Sequence, residues 1–400
     1  MSSPYPMAGS NALLLCMGFT AAASWYLLRL NNATRVRQNA PTNIIQPPEL
    51  PSDYRCIQPL PDFRLEQEDP PNLRPWKPKY YLTLGIQNLP FSEFLPLDRT
   101  LTDRLTLRRN IVSKHQEVVL GAMPSSGPAI REFYKWLIGD YLPGRYPSVY
   151  RRCSAPSPSS KTGGFITCSA DGTNIPLEPP SEPHEMLRIL AENVDAEFFF
   201  LKSQKFKGNT TYFARAYIDC YPFAFDPRKK LGLSLAGIHG PVPGFKEKIQ
   251  LSMDRFFASL PKGKIVKRYN WNLALDDNLY SPEPNPLMLY PVYVLKLAKW
   301  MLEVFLPSHF PRMKLEDLDP DKVSIRCERQ TLHRLHENDD TLVFTFKTYQ
   351  YSLRQIKDEG LGESLAEAIL GQTYSVKEME WYKGTVYWRD AVIAYLRGKE

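Results

Sequence analysis

The alternation of apolar and polar residues predicts a chain in which strands and helices pack into one body. Short alternating or aromatic-rich runs predict strands at residues 165–168, 197–201, 212–218, 266–272, 323–329 and 342–348. Apolar residues at helical spacing predict helices at residues 130–141, 181–194 and 246–260, and the chain after residue 361 is also expected to be helical. The pattern therefore predicts the α+β class, with an antiparallel sheet core and flanking helices.

Residues 230–245 combine a short alternating run with a rigid corner. Leu231, Leu233 and Leu235 have the period of a half-buried strand, and this predicted strand ends at His239. Glycine and proline residues follow at 240–244 and restrict or widen the choice of φ, so they predict a stiff corner. A histidine on such a corner suits a metal or cofactor ligand, although the local pattern alone favours a satisfied core histidine.

The N-terminal region predicts a membrane anchor. Residues 12–28 carry no charge and are just long enough to span a bilayer, and Arg29, Arg35 and Arg37 follow them. The positive-inside rule then places the body in the cytosol on a single-pass anchor, with the endoplasmic reticulum as the expected membrane. A cleaved signal peptide is the alternative, but the segment before the apolar run lacks the usual basic residues.

Three regions follow from this organisation. Residues 1–37 are predicted to be the transmembrane anchor with its basic flank, and residues 38–75 a proline-rich linker or an arm wrapped over the body. Residues 76–400 are predicted to be the globular body. Within it, the very apolar residues 287–306 fit either a buried helix or a helix lying at the bilayer interface.

Composition excludes several functions. The net charge of +7 is spread without a dense basic block, which argues against nucleic acid as a partner. The six cysteines have no spacing typical of zinc or iron–sulfur sites, so free thiols are expected. The sequence also lacks the glycine-rich nucleotide-binding patterns and the zinc-protease and hydrolase motifs.

The polar run at residues 326–334 could carry chemistry. Strand alternation places Arg326, Glu328 and Gln330 on one face, and Arg329 on the other. An arginine–glutamate cluster of this kind can bind a carboxylate or hold an amine near a carboxylate, whereas an exposed, ion-paired edge strand is the alternative.

Four sequence blocks resemble a known family. They are residues 81–89, residues 142–148, residues 230–244 together with 268–271, and residues 328–335 together with 344–349. In this order they resemble the haem-dependent oxidative N-demethylase alpha-subunit-like family. The resemblance implies a PAS-like α+β fold that binds haem b and demethylates a small secondary amine with O2, releasing formaldehyde.

The resemblance implies that His239 is the metal ligand, because it is the histidine inside a matching, rigid block. From charge chemistry we predict that Arg326 and Arg334 contact the haem propionates and that Glu328 and Arg329 are catalytic, with Glu328 facing a cationic amine. Because the chain has no flavin or iron–sulfur motif, an electron-donating reductase is an expected partner. The other expected partners are O2, a small-molecule substrate and the membrane. Alternatives are a non-catalytic haem-binding sensor and a non-haem, membrane-tethered scaffold.

Overall fold

A seven-stranded antiparallel sheet organises the described part of the chain. The computed structural model describes residues 54, 56–153, 163–206, 208–283 and 312–399. In chain order the strands are β1 (Gln87–Leu89), β2 (Leu120–Ala122), β3 (Tyr150–Cys153), β4 (Phe165–Cys168), β5 (Asn174–Pro176), β6 (Glu197–Phe206), β7 (Asn209–Ile218), β8 (Ile265–Ala274), β9 (Ser324–Arg334) and β10 (Thr341–Ser352). The large sheet has the order β1-β8-β9-β10-β6-β7-β2, and β3-β4-β5 form a small second sheet.

Helices flank this sheet in several groups. They are α1 (Leu101–Val119), α2 (Gly127–Tyr134), α3 (Leu142–Arg145), α4 (Pro183–Asn193), α5 (Leu235–His239), α6 (Phe245–Lys248), α7 (Gln250–Ser259), α8 (Leu353–Asp358), α9 (Gly362–Leu370), α10 (Met379–Tyr382) and α11 (Thr385–Leu396). A π-helical segment, Lys135–Tyr141, joins α2 to α3. Short 3₁₀ turns lie at Leu65–Gln67, Phe91–Glu93, Pro124–Ser126, Pro227–Lys230, Leu315–Asp317 and Gly371–Thr373.

The two faces of the large sheet pack against different partners. The face that carries Val266 and Leu332 packs against α5, α6 and α7, and we call it the front face. The opposite, back face carries Ile265 and Val343, which pack against α1, α2 and α4. Farther along the same back face, Trp271 and other apolar side chains pack against α8, α9 and α11. The sheet is therefore covered on both sides, and strand alternation assigns every residue of β8, β9 and β10 to one side.

Most predicted elements are confirmed. The α+β class with an antiparallel sheet and flanking helices is correct. The strands predicted at residues 165–168, 197–201, 212–218, 266–272, 323–329 and 342–348 each overlap an observed strand. The helix predicted at 181–194 is α4, and the one predicted at 130–141 is present as α2 with its π-helical continuation. The helix predicted at 246–260 is divided into α6 and α7, because Ile249 has non-helical φ and ψ.

The predicted strand leading into His239 is wrong. After the 3₁₀ turn Pro227–Lys230 the chain turns at Gly232, and the helix α5 begins at Leu235. The Ser234 hydroxyl accepts a hydrogen bond from the Gly237 N–H, so a side-chain cap starts a helix where leucine alternation suggested a strand. Here a capping interaction outweighs a three-residue apolar pattern.

The membrane predictions fall mainly outside the described residues. Residues 12–28 and 287–306 are among those not described, so both predictions stand as predictions. Among the helices of the described residues, none has the length and apolar character needed to cross a bilayer. The described part of the proline-rich segment, residues 56–75, lies against the body: Leu60 N–H donates to the Arg145 carbonyl at 2.8 Å, and Leu73 N–H donates to the Tyr351 hydroxyl at 3.0 Å.

A buried lysine joins two carboxylates on the back face. Lys347 Nζ lies 2.8 Å from Asp98 Oδ2 and 3.1 Å from Asp195 Oδ2, and all three side chains are almost fully buried. Burial alone would lower the pKa of Lys347, but the neighbouring acidic groups hold it above its ordinary value. The lysine therefore remains charged and links β10 to the segments before α1 and β6.

We expect Lys347→Met to lower the free energy of unfolding by about 3–5 kcal/mol, because it leaves two buried carboxylates with one cation fewer. Urea unfolding at neutral pH measures the change. The matched control is Lys322→Met, at an exposed lysine 3.6 Å from Asp319, which should change the stability by less than about 0.5 kcal/mol. Equal effects of the two substitutions would contradict this role.

His333 is a fully buried histidine on the back face. Aromatic rings surround it at centroid distances of 5.5–6.1 Å, contributed by Tyr54, Phe91, Phe94, Phe133 and Trp136. Among the described residues neither ring nitrogen has a hydrogen-bond partner. Burial lowers the pKa of His333 to about 3, so the ring is neutral at physiological pH.

His333 should make the protein sensitive to acid. Its pKa falls from 6.5 in the unfolded chain to about 3 in the folded one, so the unfolded chain takes up a proton first and stability is lost as the pH falls from 6.5 towards 3. At pH 4.5, relative to pH 8, the wild type should lose about 2.7 kcal/mol more stability than His333→Leu. Parallel pH profiles of the two proteins in urea unfolding would refute this.

Candidate functional site

His239 ends the short helix α5 on the front side of the sheet. Its Nδ1 lies 2.9 Å from the carbonyl oxygen of Leu235, and its ring stacks on Phe245 with centroids 5.0 Å apart. Since a carbonyl can only accept, Nδ1 carries the hydrogen of this bond. The helix α6 follows after Gly244, whose φ of +72° favours glycine, and a Cβ there would lie 3.1 Å from Val376.

The surroundings of His239 favour the neutral form of its imidazole. Burial is the largest cause that lowers its pKa, the charges of Lys230 and Arg268 lower it further, and the bond to Leu235 opposes them. A neutral ring with hydrogen on Nδ1 keeps a lone pair on Nε2. A backbone carbonyl that fixes the tautomer in this way is the usual second partner of a metal-binding histidine.

The front face changes from apolar to polar along its strands. Its apolar half, with Leu332 and Val266, lies under α5–α7. Beyond this apolar half, the next front-face pair along β8 is Arg268 with Gln330 of β9, and the pair after it is Asn270 with Glu328. The charge of Arg268 acts on His239, so the imidazole lies near the boundary between the apolar and the polar half.

Glu328 is held by two amides. Its Oε2 accepts from Gln330 Nε2 at 2.7 Å and from Asn270 Nδ2 at 3.3 Å. No hydrogen bond to Oε1 is present among the described residues, and the carboxylate forms no ion pair there either. The amides thus orient the group and leave Oε1 available for a ligand.

Arg326 lies two residues from Glu328 on the same face and is 2% exposed. Its Nη1 donates to the carbonyls of Asn278 and Leu279, both at 3.1 Å, and its Nη2 donates to the carbonyl of Tyr221 at 2.9 Å. Nε is buried and has no acceptor among the described residues. The cation is therefore fixed by neutral groups and does not contact a carboxylate in the described structure.

Arg329 and Arg334 lie apart from this pair. Arg329 is on the back face, where its Nη1 donates to the Phe94 carbonyl at 2.8 Å. Arg334, at the far end of β9, donates to the carbonyls of Leu260, Phe257 and Asp339. Eight residues of strand separate it from Arg326, roughly 26 Å. The structure thus brings Arg326 and Glu328 together and separates both other arginines from them, and their site roles stay untested predictions.

Three front-side residues were not assigned a role from the sequence. Lys230 and Arg268 are the cations whose charges act on His239, and Asp219 follows β7 and is fully buried. Neither oxygen of Asp219 has a hydrogen-bond partner among the described residues, and the same holds for Arg268 Nε and Thr348 Oγ1. Lys230 and Arg268 lie in the sequence blocks that carry the family resemblance, and this resemblance could have pointed to them. No motif or pattern in the sequence indicated a role for Asp219.

The donor set suits a haem better than a bare metal ion. Among the described residues no group of three or more His, Cys, Asp or Glu side chains could enclose an ion. A haem needs only an axial donor from the protein, and neutral imidazole is a standard one. His239 Nε2, the partly buried apolar side chains around it, such as Ile238 and Val242, and two nearby cations match a flat, apolar cofactor that carries two carboxylates.

Comparison with known proteins identifies the family. The model of the family described as haem-dependent oxidative N-demethylase, alpha subunit-like, matches residues 85–393. The chain belongs to this family. The match includes His239, Arg268, Arg326 and Glu328, and it confirms the resemblance seen in the sequence. A search of the curated proteins finds no match for the chain.

The family description supports a haem-dependent, oxidoreductase-type function of the demethylase kind. It does not specify the haem type, the substrate or an electron donor.

Arg334 should be a stability residue. We expect Arg334→Met to lower the free energy of unfolding by about 1–3 kcal/mol, because two partly buried carbonyls and the Tyr212 hydroxyl lose a charged donor. Haem absorption should be retained in the folded variant. Arg354→Met is the control, since its pair with Asp321 is exposed, and it should leave the stability close to that of the wild type. Loss of haem absorption from a fully folded Arg334→Met protein would instead indicate that Arg334 contacts the haem.

Proposed function

We propose that this chain binds haem b through Nε2 of His239 and oxidatively removes a methyl group from an amine nitrogen. The observation that carries the proposal is the neutral imidazole with its Nδ1 hydrogen bonded to Leu235, inside a chain that belongs to a haem-dependent family. The bound haem would supply the activation of O2. The protein would supply the axial ligand, the orientation of the cofactor and the placement of the amine.

Lys230 and Arg268 are the proposed partners of the haem propionates. Burial lowers the pKa of both groups, which means that their charged forms lack full compensation. Carboxylates beside them would offset that cost and satisfy Arg268 Nε. Partly buried apolar side chains in and after α5, such as Ile238 and Val242, would face the porphyrin.

Glu328 is the proposed partner of the cationic amine. Two amides hold its Oε2, so Oε1 can accept a hydrogen bond from a substituted ammonium group at a fixed position. Removing one methyl group as formaldehyde consumes O2, two electrons and two protons, and it also yields water. Because the sequence has no flavin or iron–sulfur motif, a separate reductase would provide the electrons. An anchor at residues 12–28 would hold the body at the cytosolic side of a membrane.

An absorption spectrum of the full chain expressed with haem supply tests the ligand. The wild type should show a Soret band with haem in equal amount, and His239→Ala should abolish or strongly shift it because the axial donor is lost. His184→Ala, at an exposed histidine on α4, is the matched control and should leave the band unchanged.

The outcomes separate the possible functions. A wild-type protein without a Soret band would refute the haem function, and an unchanged band in His239→Ala would refute the ligand assignment. If haem binds, dimethylamine with O2 and a reductase should give formaldehyde. Haem binding with stable O2 binding and no formaldehyde from any methylated amine would instead indicate a sensor.

A further inference from the structure

We infer that the substrate is a methylated amine that also carries a carboxylate, such as an N-methyl amino acid. The inference rests on the proposed function and names its substrate class. It is carried by Arg326 and Glu328, which present opposite charges on the front face of β9 and form no ion pair with each other in the described structure.

Arg326 has a free hydrogen-bonding edge. Its guanidinium has five N–H donors, and the described carbonyls of Asn278, Leu279 and Tyr221 accept three bonds. The remaining donors are Nε and one hydrogen of Nη2. Nε has no acceptor among the described residues although it is fully buried. An arginine edge with two neighbouring N–H groups matches the two oxygens of a carboxylate.

Glu328 is spaced suitably for the other charge of the substrate. Residues i and i+2 of a strand lie on the same face with Cα atoms about 6.6 Å apart, and long side chains can converge from that separation. In an α-amino acid the ammonium and carboxylate groups are joined through one carbon. The carboxylate would lie at Arg326 and the methylated ammonium at Glu328 Oε1, with the amine between the sheet and the cofactor.

The positions of the other front-side cations favour a substrate carboxylate, and not a haem propionate, as the ligand of Arg326. Lys230 and Arg268, which act on His239, already offer two cations for the propionates. The charge of Asp219 acts on Arg326, and burial, followed by Glu197 and Glu328, raises the pKa of Asp219 well above its usual range. The raised pKa favours the protonated form, which can donate a hydrogen bond to a carboxylate held by Arg326.

The decisive test compares substrates on the wild-type holoenzyme. With sarcosine (N-methylglycine) and its methyl ester, formaldehyde release should give a kcat/KM about 100-fold higher for the free acid, since the ester lacks the charge that Arg326 recognises. Dimethylamine should resemble the ester. Equal values for the acid and the ester would overturn the inference, while formaldehyde formation would still support the proposed function.

Variants locate the carboxylate. Arg326→Gln should raise the KM for sarcosine at least about 10-fold and remove most of the preference for the acid over the ester, with full haem content, and Arg326→Lys should restore part of that preference. Glu328→Gln should instead raise the KM for acid and ester alike. If Arg326→Gln or Arg326→Lys folds but loses the Soret band, the carboxylate is a haem propionate and the inference is wrong. A wild-type protein without haem would refute the proposed function itself.

Discussion

The register of β9 between β8 and β10 is the constraint on which the site and the scaffold both depend. It pairs Arg268 with Gln330 and Asn270 with Glu328, and it pairs Phe346 with Gln330 on the other side. A shift of the register by one residue would move the side chain of Glu328 to the apolar back face and that of Arg329 to the front face. Both faces are packed, so such a shift is costly, and the position of the functional side chains follows from the packing of apolar ones.

The same strand also shows how a sequence of polar residues serves two purposes. On the back face, Arg329 donates to backbone carbonyls and His333 lies among aromatic rings, so these polar groups fix the architecture. On the front face, Arg326 and Glu328 keep hydrogen-bonding capacity that the described protein does not use. The buried Nε of Arg326 costs stability while it has no acceptor, and a ligand that accepts its hydrogen bond would remove that cost.

The sheet could be predicted from the sequence more readily than the candidate site. Alternation over β8, β9 and β10 is long enough to predict strands and to separate Glu328 from Arg329. The turn to His239 was predicted wrongly, because three leucines resembled a strand while one serine hydroxyl determined a helix. The roles proposed for Lys230, Arg268 and Asp219 depend on the proximity of segments that are distant in sequence. The periodicity of apolar residues carries no information about such proximity. The likeness to a family directed attention to His239, but only the structure showed which ring nitrogen is free.

The helix that carries His239 is only five residues long, and a helix of that length has little stability of its own. Its position depends on the Ser234 cap, the stacking on Phe245 and its packing on the sheet. A group that binds Nε2 therefore adds its binding free energy to the folding of this corner. The supply of that group in the cell would then control how long the folded protein survives proteolysis, and so its abundance as well as its activity.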